Sequence, residues 1–385
     1  MNLKSLFTPL RLGALELPHR IVMAPLTRMR AGAGGVPTAM NATYYGQRVA
    51  AAMIITEATC VSQQGVGYPN VPGIFSAEQI AGWKLVTNAV HARGGRIVQQ
   101  IVHNGRMSHS AYMPDRSVPV APTAIISAFG QAFTPDFQLV PFETPRALET
   151  DEIPGIVESF RQAALNSREA GFDAVEIHGA NGYLLDQFLH DGSNKRTDGY
   201  GGSLENRARL LLEVVDSIVD AIGKDRLGVR LSPYGTFGDM VDSDPITLYK
   251  FVIGELGKRG LAYLHLIEAR ASGVSLAEDP TEKFAYNAEI FRSAFDGPMI
   301  SAGGYTPESA AEAIEKGNAD AVAFGRFYIA NPDLYERIKG KSSLNKYDRP
   351  TFYGGGDHGY TDYPTLAESS VSVVPQTTPV ATAIS

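Results

Sequence analysis

Short runs of alternating apolar and polar residues recur along the chain, and stretches of helical period separate most of them. In the clearest run, Ala174–Ala180, Val175 and Ile177 share one face while Glu176 and His178 share the other. Similar runs predict strands over Ile21–Ala24, Ala52–Ala58, Arg96–His103, Leu227–Ser232, Tyr263–Glu268, Pro298–Ala302 and Ala321–Gly325. Apolar residues at three- and four-residue spacing predict helices over Ala77–Ala92, Asp151–Ala170, Glu205–Ile222, Ile246–Arg259, Ala288–Phe295, Pro307–Lys316 and Asp333–Ile338. Eight strands with intervening helices predict an α/β chain folded as a (β/α)8 TIM barrel. An open doubly wound sheet is the competitor, but no GxGxxG follows the first strand.

Two segments depart from a plain barrel. Leu10–Leu17 predicts a hairpin turning near Gly13. Beyond His103 the chain runs to Thr150 with six prolines and no helical period, which predicts a capping insertion over about 104–150. Residues 1–365 are therefore expected to form a single domain. Residues 366–385, rich in Ser, Thr, Val and Pro from Glu368 onward, are expected to be a disordered tail without a targeting role.

Composition narrows the class. The 385 residues are 44% hydrophobic, enough for a large core, and the net charge of −7 argues against nucleic acid or anionic membrane as partners. The N-terminus lacks the apolar run of a signal peptide, and no stretch is long enough to span a bilayer. The single cysteine, Cys60, cannot form an intramolecular disulfide and suits a reducing compartment, so a cytoplasmic protein is expected. Cys60 reads as a buried inert thiol rather than a nucleophile.

In a barrel the chemistry lies at the carboxyl ends of the strands. That rule collects Pro25, Leu26, Thr27, Glu57, Ala58, Gln100, Val102, His103, His178, Asn181, Tyr183, Arg230, Glu268, Gly303, Gly304, Gly325 and Arg326. No lysine among them supports Schiff-base chemistry, and no close His/Asp/Glu cluster suggests a metal. Gly303 and Gly304 precede Thr306-Pro307, a good helix start, and Gly325-Arg326 follows the next strand; backbone amides, a helix end and a guanidinium together favour a phosphate. Gln100 and Arg230 share the inward parity of their strands. Arg230 needs an anionic partner, and Glu176 or the electron-rich edge of a cofactor ring would each serve. His178 and Asn181 can aim two donors at one point, with the Tyr183 phenol beside them.

At these residues the sequence resembles the Old Yellow Enzyme family of flavin-dependent ene-reductases. The matching pieces include PHRIVMAPLTRMRA (Pro18–Ala31), YYGQRV (Tyr44–Val49), IITEAT (Ile54–Thr59), EIHGANGYLLDQFL (Glu176–Leu189), SNKRTDGYGGSLENRAR (Ser193–Arg209), VRLSP (Val229–Pro233), AFGRFYIANPDL (Ala323–Leu334) and TFYGGGDHGYTDYP (Thr351–Pro364). The resemblance implies non-covalent FMN, with Pro25, Leu26, Thr27, Ala58, Gln100 and Arg230 around the ring and Gly303, Gly304, Gly325 and Arg326 on the phosphate. It implies NADPH or NADH as hydride donor and an α,β-unsaturated carbonyl compound as acceptor. His178 and Asn181 would bind the acceptor's carbonyl oxygen, Tyr183 would supply a proton, and Tyr68 and Tyr353 would line the pocket. A monomer or homodimer is expected. The family's QLWH segment reads QIVH here, so Val102 should leave extra room on the substrate side. A redox-neutral isomerase or a specialised-metabolism enzyme using the same flavin, a non-catalytic flavin-binding protein, and a phosphosugar lyase or isomerase on the same fold are the competing classes.

Overall fold

The computed structural model describes residues 2–128, 130–269, 271–272, 275–276 and 286–371. The barrel strands, numbered in chain order, are β1 (Ile21–Met23), β2 (Ile54–Ile55), β3 (Ile97–Val102), β4 (Ala174–His178), β5 (Leu227–Leu231), β6 (Tyr263–Ile267), β7 (Met299–Ala302) and β8 (Ala321–Phe324). They pair in parallel around a closed ring: β3 joins β4, and β8 joins β1. The (β/α)8 expectation is borne out.

Their burial explains the closure. All residues of β3, β4 and β5 are buried, as parallel strands covered on both faces should be. Outward residues such as Val175, Ile177 and Val229 join one apolar cluster with the helices Ile153–Glu169, Leu204–Ile222 and Pro245–Lys258. Burying each such side chain is worth roughly 1.5–3 kcal/mol. Inward residues of the opposite parity, including Val98, Ala174, Tyr263 and Ala323, form a second cluster with Leu12, Leu15 and Leu17 of the amino-terminal hairpin. That hairpin, Leu10–Leu12 paired with Leu15–Leu17, therefore packs on the barrel interior at the end opposite the strand carboxyl termini. Its turn residue Gly13 has φ 56°, and a Cβ there would lie 2.1 Å from the Asp225 carbonyl oxygen. Helix starts follow their caps: the Ser76 hydroxyl accepts from the Gln79 amide, and the Ser203 hydroxyl accepts from the Asn206 amide.

Three expectations change. The strand read over Ala52–Ala58 forms a ladder only at Ile54–Ile55, because Glu57 turns to other partners: its amide donates to the Tyr45 hydroxyl and its carboxylate accepts from the Arg28 and Met29 amides. The capping segment is not purely irregular. Val120–Ala121 pairs with Arg146–Ala147, and Ala132–Phe133 forms a hairpin with Leu139–Val140. The tail begins as a helix, Leu366–Val371, fixed where the Leu366 amide donates to the Asp333 carboxylate at 2.6 Å; residues 372–385 lie outside the described residues. Among the described residues no helix is long and apolar enough to cross a membrane.

Candidate functional site

The carboxyl ends of the strands surround a cavity of about 450 Å³, within the range of cofactor and substrate sites. It brings together Pro25, Leu26 and Thr27 after β1, Gln100 on β3, His178, Asn181 and Tyr183 at and after β4, and Arg230 on β5. Gly303 and Gly304 after β7, Gly325 and Arg326 after β8, and the ring residues Tyr68 and Tyr353 complete the set.

The loop after β4 is shaped by its backbone. Asn181 has φ 56° and Gly182 has φ 70°, left-handed conformations that asparagine and glycine tolerate best. The turn is pressed close to a neighbour: a Cβ on Gly182 would sit 2.6 Å from the Phe237 carbonyl oxygen. The Asn181 amide donates to the Ser232 hydroxyl, and the Gly182 amide donates to the Asp186 carboxylate. Gln187 ties the same loop to the start of the capping segment, donating to the carbonyls of Gly182 and Asn104 and accepting from the Arg106 amide. The result is a rigid mount for Asn181 and Tyr183.

The groups on that mount have fixed protonation states. Burial, then the Arg230 and His265 charges, holds His178 well below its ordinary pKa, so the ring is neutral at pH 7. Its Nδ1 is buried without a hydrogen-bond partner. The Tyr183 ring meets His178 edge to face, and its hydroxyl donates to the Tyr68 hydroxyl at 3.3 Å. Burial and the Tyr68 phenol push Tyr183 well above the ordinary tyrosine value, so it carries its proton at neutral pH.

Below this loop lies a layer of buried polar side chains. Glu176 accepts from Gln100 Nε2 at 2.7 Å and is bonded to His265 Nδ1 at 2.9 Å. Arg230, next to His178 in the strand register, makes no hydrogen bond through its buried Nε. Of the two partners the sequence allows for Arg230, Glu176 is present as a nearby charge, but its hydrogen bonds go to Gln100 and His265.

At the opposite end the cavity wall is backbone. Gly303 and Gly304 have φ 122° and 66°. The Thr306 hydroxyl caps the helix Pro307–Glu315, and Arg326 opens a short helix with its guanidinium over the Tyr347 ring.

Ala58 does not border the cavity; it packs against an apolar cluster that contains Met29, Cys60, Met107 and Tyr183. Val102 is a member of that cluster, is 1% exposed and is not among the residues bordering the cavity, although its cluster neighbours Met29 and Tyr183 do border it. The segment Thr59–Cys60 pairs in parallel beside the end of β3, with Cys60 alongside Val102. Cys60 itself is buried, and burial pushes its thiol up to about 12, which leaves it inert. Glu268 is bonded by the Tyr305 hydroxyl and the Asn287 amide, and it lies outside the cavity lining. Residues missed in the sequence are Phe133 from the capping hairpin, Phe237 after β5, and Arg349 and Phe352 near the C-terminus. The last two come to the mouth because buried Arg28 and Arg30 donate to the carbonyls of Thr351 and Phe352. The motif pair TRMR and TFYGGG carried that signal.

Residues 5–345 match the model of the NADH:flavin oxidoreductase / NADH oxidase family. The chain is 45% identical over 366 residues to 12-oxophytodienoate reductase 1 of Oryza sativa subsp. japonica, covering 94% of this chain and 93% of the relative. It is 44% identical over 372 residues to 12-oxophytodienoate reductase 2 of Arabidopsis thaliana, covering 95% and 96%. Among solved structures it is similar to morphinone reductase in complex with tetrahydroNAD, with a TM-score of 0.88, 49% identity and coverage of 94% and 98%. It is also similar to the old yellow enzyme homologue from Zymomonas mobilis, with a TM-score of 0.89, 43% identity and coverage of 94% and 100%.

Proposed function

The chain belongs to the NADH:flavin oxidoreductase / NADH oxidase family, and we propose that His178, Asn181 and Tyr183 carry its chemistry on an α,β-unsaturated carbonyl acceptor. It is an FMN-dependent, NAD(P)H-dependent ene-reductase. Bound FMN supplies a two-electron store that accepts hydride from the nicotinamide and delivers it to the acceptor's β-carbon.

The residues present fit that cofactor. Gly303 and Gly304 at positive φ, Gly325 and Arg326 suit the phosphate. The orphaned Arg230 Nε marks a guanidinium with donors to spare for the electron-rich edge of the ring. Gln100, whose Nε2 is taken by Glu176, has its amide oxygen left as an acceptor. Pro25, Leu26 and Thr27 would flank the ring on the β1 side, while Ala58 packs against the apolar cluster that holds Met29 and Tyr183.

His178, neutral, gives one N–H to the acceptor's carbonyl oxygen, and the Asn181 side-chain amide gives another. Negative charge grows on that oxygen as hydride reaches the β-carbon, so two fixed donors in a dry site stabilise the transition state more than the ground state. Tyr183 keeps its proton at neutral pH and can release it to the α-carbon, with the Tyr68 hydroxyl as its hydrogen-bond partner. Tyr68 and Tyr353, with Phe133 and Phe237, line the cavity with aromatic rings. The nicotinamide amide can use the same two donors, so one pocket serves both half-reactions in turn. The single cysteine and the acidic composition support a cytoplasmic setting, and a monomer or homodimer is the proposed assembly.

The observation that carries this reading is the convergence in one cavity of a neutral imidazole, an asparagine and a protonated phenol, opposite a glycine cradle. The purified protein should be yellow, release FMN on denaturation, bleach with NADPH or NADH without oxygen, and recover its colour with cyclohexenone. A colourless protein that cannot be reconstituted, or a bleached one that no enone reoxidises, would overturn it.

A further inference from the structure

Beneath the cavity floor sits a carboxylate that the proposed chemistry does not use. Glu176 is completely buried at the centre of the barrel, two residues below His178 on the same face of β4. It does not border the cavity. Yet it touches or faces each polar group of the floor. It accepts from Gln100 Nε2 at 2.7 Å, it is bonded to the equally buried His265 at 2.9 Å, and Arg230 lies within its electrostatic reach. A carboxylate so deep costs several kcal/mol to desolvate unless its partners are well placed. The fold makes specific room for this arrangement: Gly228, opposite Glu176 in the register, has no side chain, and a Cβ there would lie 2.3 Å from the Tyr263 ring.

We propose that Glu176 is a positioning residue that sets both the charge and the hydrogen-bond polarity of the cavity floor, through Arg230 and Gln100. By holding Gln100 Nε2 it fixes which end of that amide is left for the cavity, an acceptor oxygen rather than a second donor. By standing behind Arg230 it offsets the one full positive charge that the floor presents. Although burial opposes its ionisation, His265 and Arg230 more than compensate and keep Glu176 below the usual carboxylate range, so its negative charge is present at neutral pH. Reduction adds negative charge to whatever flavin the floor supports. A fixed anion behind Arg230 therefore weakens the hold on the reduced form more than on the oxidised form and makes the bound cofactor a stronger hydride donor.

The inference rests on the FMN reading, and its test separates the two. In Glu176→Gln the anion is gone, so the flavin midpoint potential should rise. The reduced form should be favoured over the oxidised form at least tenfold more than in the parent, about 30 mV for a two-electron couple. Titrating apoprotein with oxidised FMN should show a smaller change than the one inferred for reduced FMN. Glu176→Asp, which keeps the charge, should return the potential toward the parent. Burial, together with the Arg230 charge, holds His265 below its ordinary pKa and so neutral at neutral pH; should Glu176→Gln fail to fold, Glu176→Met with His265→Leu therefore removes the same net charge in the way buried pairs often tolerate, and it must show the same rise. A parent protein that binds no flavin would end the FMN reading. A flavin-loaded Glu176→Gln or double variant with the parent's potential would overturn this inference alone.

Discussion

The two ends of the cavity are made of different materials. At the β4–β5 end the working groups are side chains locked by other buried side chains. Asp186 holds the Gly182 amide, Ser232 holds the Asn181 amide, and Glu176 holds Gln100. At the β7–β8 end they are backbone: Gly303, Gly304 and Gly325, helped by a part-exposed Arg326. Side chains in a dry site can be neutral, charged or proton-bearing, so that end can do chemistry at a chosen atom. Amides have one polarity and no titration, so the other end can only grip. Changes at the first end should alter the rates of the half-reactions, and changes at the second should alter cofactor retention alone.

The largest effect expected from this division is at Tyr183. On its proposed role only the oxidative half needs a proton delivered to carbon. Tyr183→Phe should slow reoxidation by cyclohexenone by about 10²–10⁴-fold while leaving reduction by NADPH or NADH within a few-fold of the parent. Stopped-flow measurement of each half separately decides the matter. Equal slowing of both would mean that Tyr183 shapes the pocket and that the side-chain end is no more specialised than the other.

Between the two ends, the rim after β1 and β2 should respond to pH where the backbone-built end does not. Glu57, which holds the amides of Arg28 and Met29 just beyond Thr27, is fully buried, and burial raises its carboxyl to about 7 despite those amides and the nearby Arg28 and Arg30. The folded value lies above the unfolded one, so the folded protein prefers the protonated form. Its stabilising contribution is complete below the unfolded value near 4.5, and it is lost as pH rises through about 7. The loss is at most roughly 3 kcal/mol across that window. Glu57→Gln, permanently neutral, should flatten this part of the stability–pH profile measured by urea unfolding between pH 4.5 and 7.5. An unchanged slope would show that Glu57 stays ionised throughout.

Much of this was legible in the sequence, and the failures have a common cause. Periodicity located the barrel strands because each must bury one face on the helices and the other in the barrel. It placed Gln100, His178 and Arg230 on the inward face correctly. Strand parity could not foresee where a strand stops obeying the barrel. Glu57 and Ala58 leave the β2 ladder because a carboxylate finds better partners in two amides. Val102 keeps the parity of Gln100 but lies in the cluster with Met29, Cys60 and Met107, outside the cavity lining. The aromatic residues of the mouth were invisible for another reason: Phe133 and Phe352 come from segments whose position depends on long-range bonds, such as those of Arg28 and Arg30.

Val102 turns that failure into a measurement. A pocket-lining valine would accept an indole at the expense of bulky acceptors. A valine packed among Met29, Cys60, Met107 and Tyr183 has no such room. Val102→Trp should therefore destabilise the protein by about 1–3 kcal/mol through overpacking, and disturb Tyr183, its neighbour in the cluster. Unchanged stability, with a loss confined to bulky enones, would return Val102 to the cavity wall.

The smallest expected effect tests the gripping end. Arg326 opens a short helix beside Gly325, and its guanidinium rests over the Tyr347 ring with one nitrogen 3.4 Å from that residue's hydroxyl. It is part-exposed, so its charge is screened by water and is worth less than a buried one. A charge-assisted hydrogen bond contributes about 1.5–3 kcal/mol, and partial exposure argues for the lower bound. Arg326→Ala should then weaken FMN binding to apoprotein by about tenfold. Riboflavin lacks the phosphate, so its affinity should be the same in variant and parent. With FMN kept saturating, the rates of both half-reactions should be unaltered, because no reacting atom lies at this end. Riboflavin and FMN affinities falling together would show that Arg326 supports the barrel rim rather than a phosphate. A selective change in one half-reaction would show that the two ends of the cavity do not divide the work between chemistry and grip.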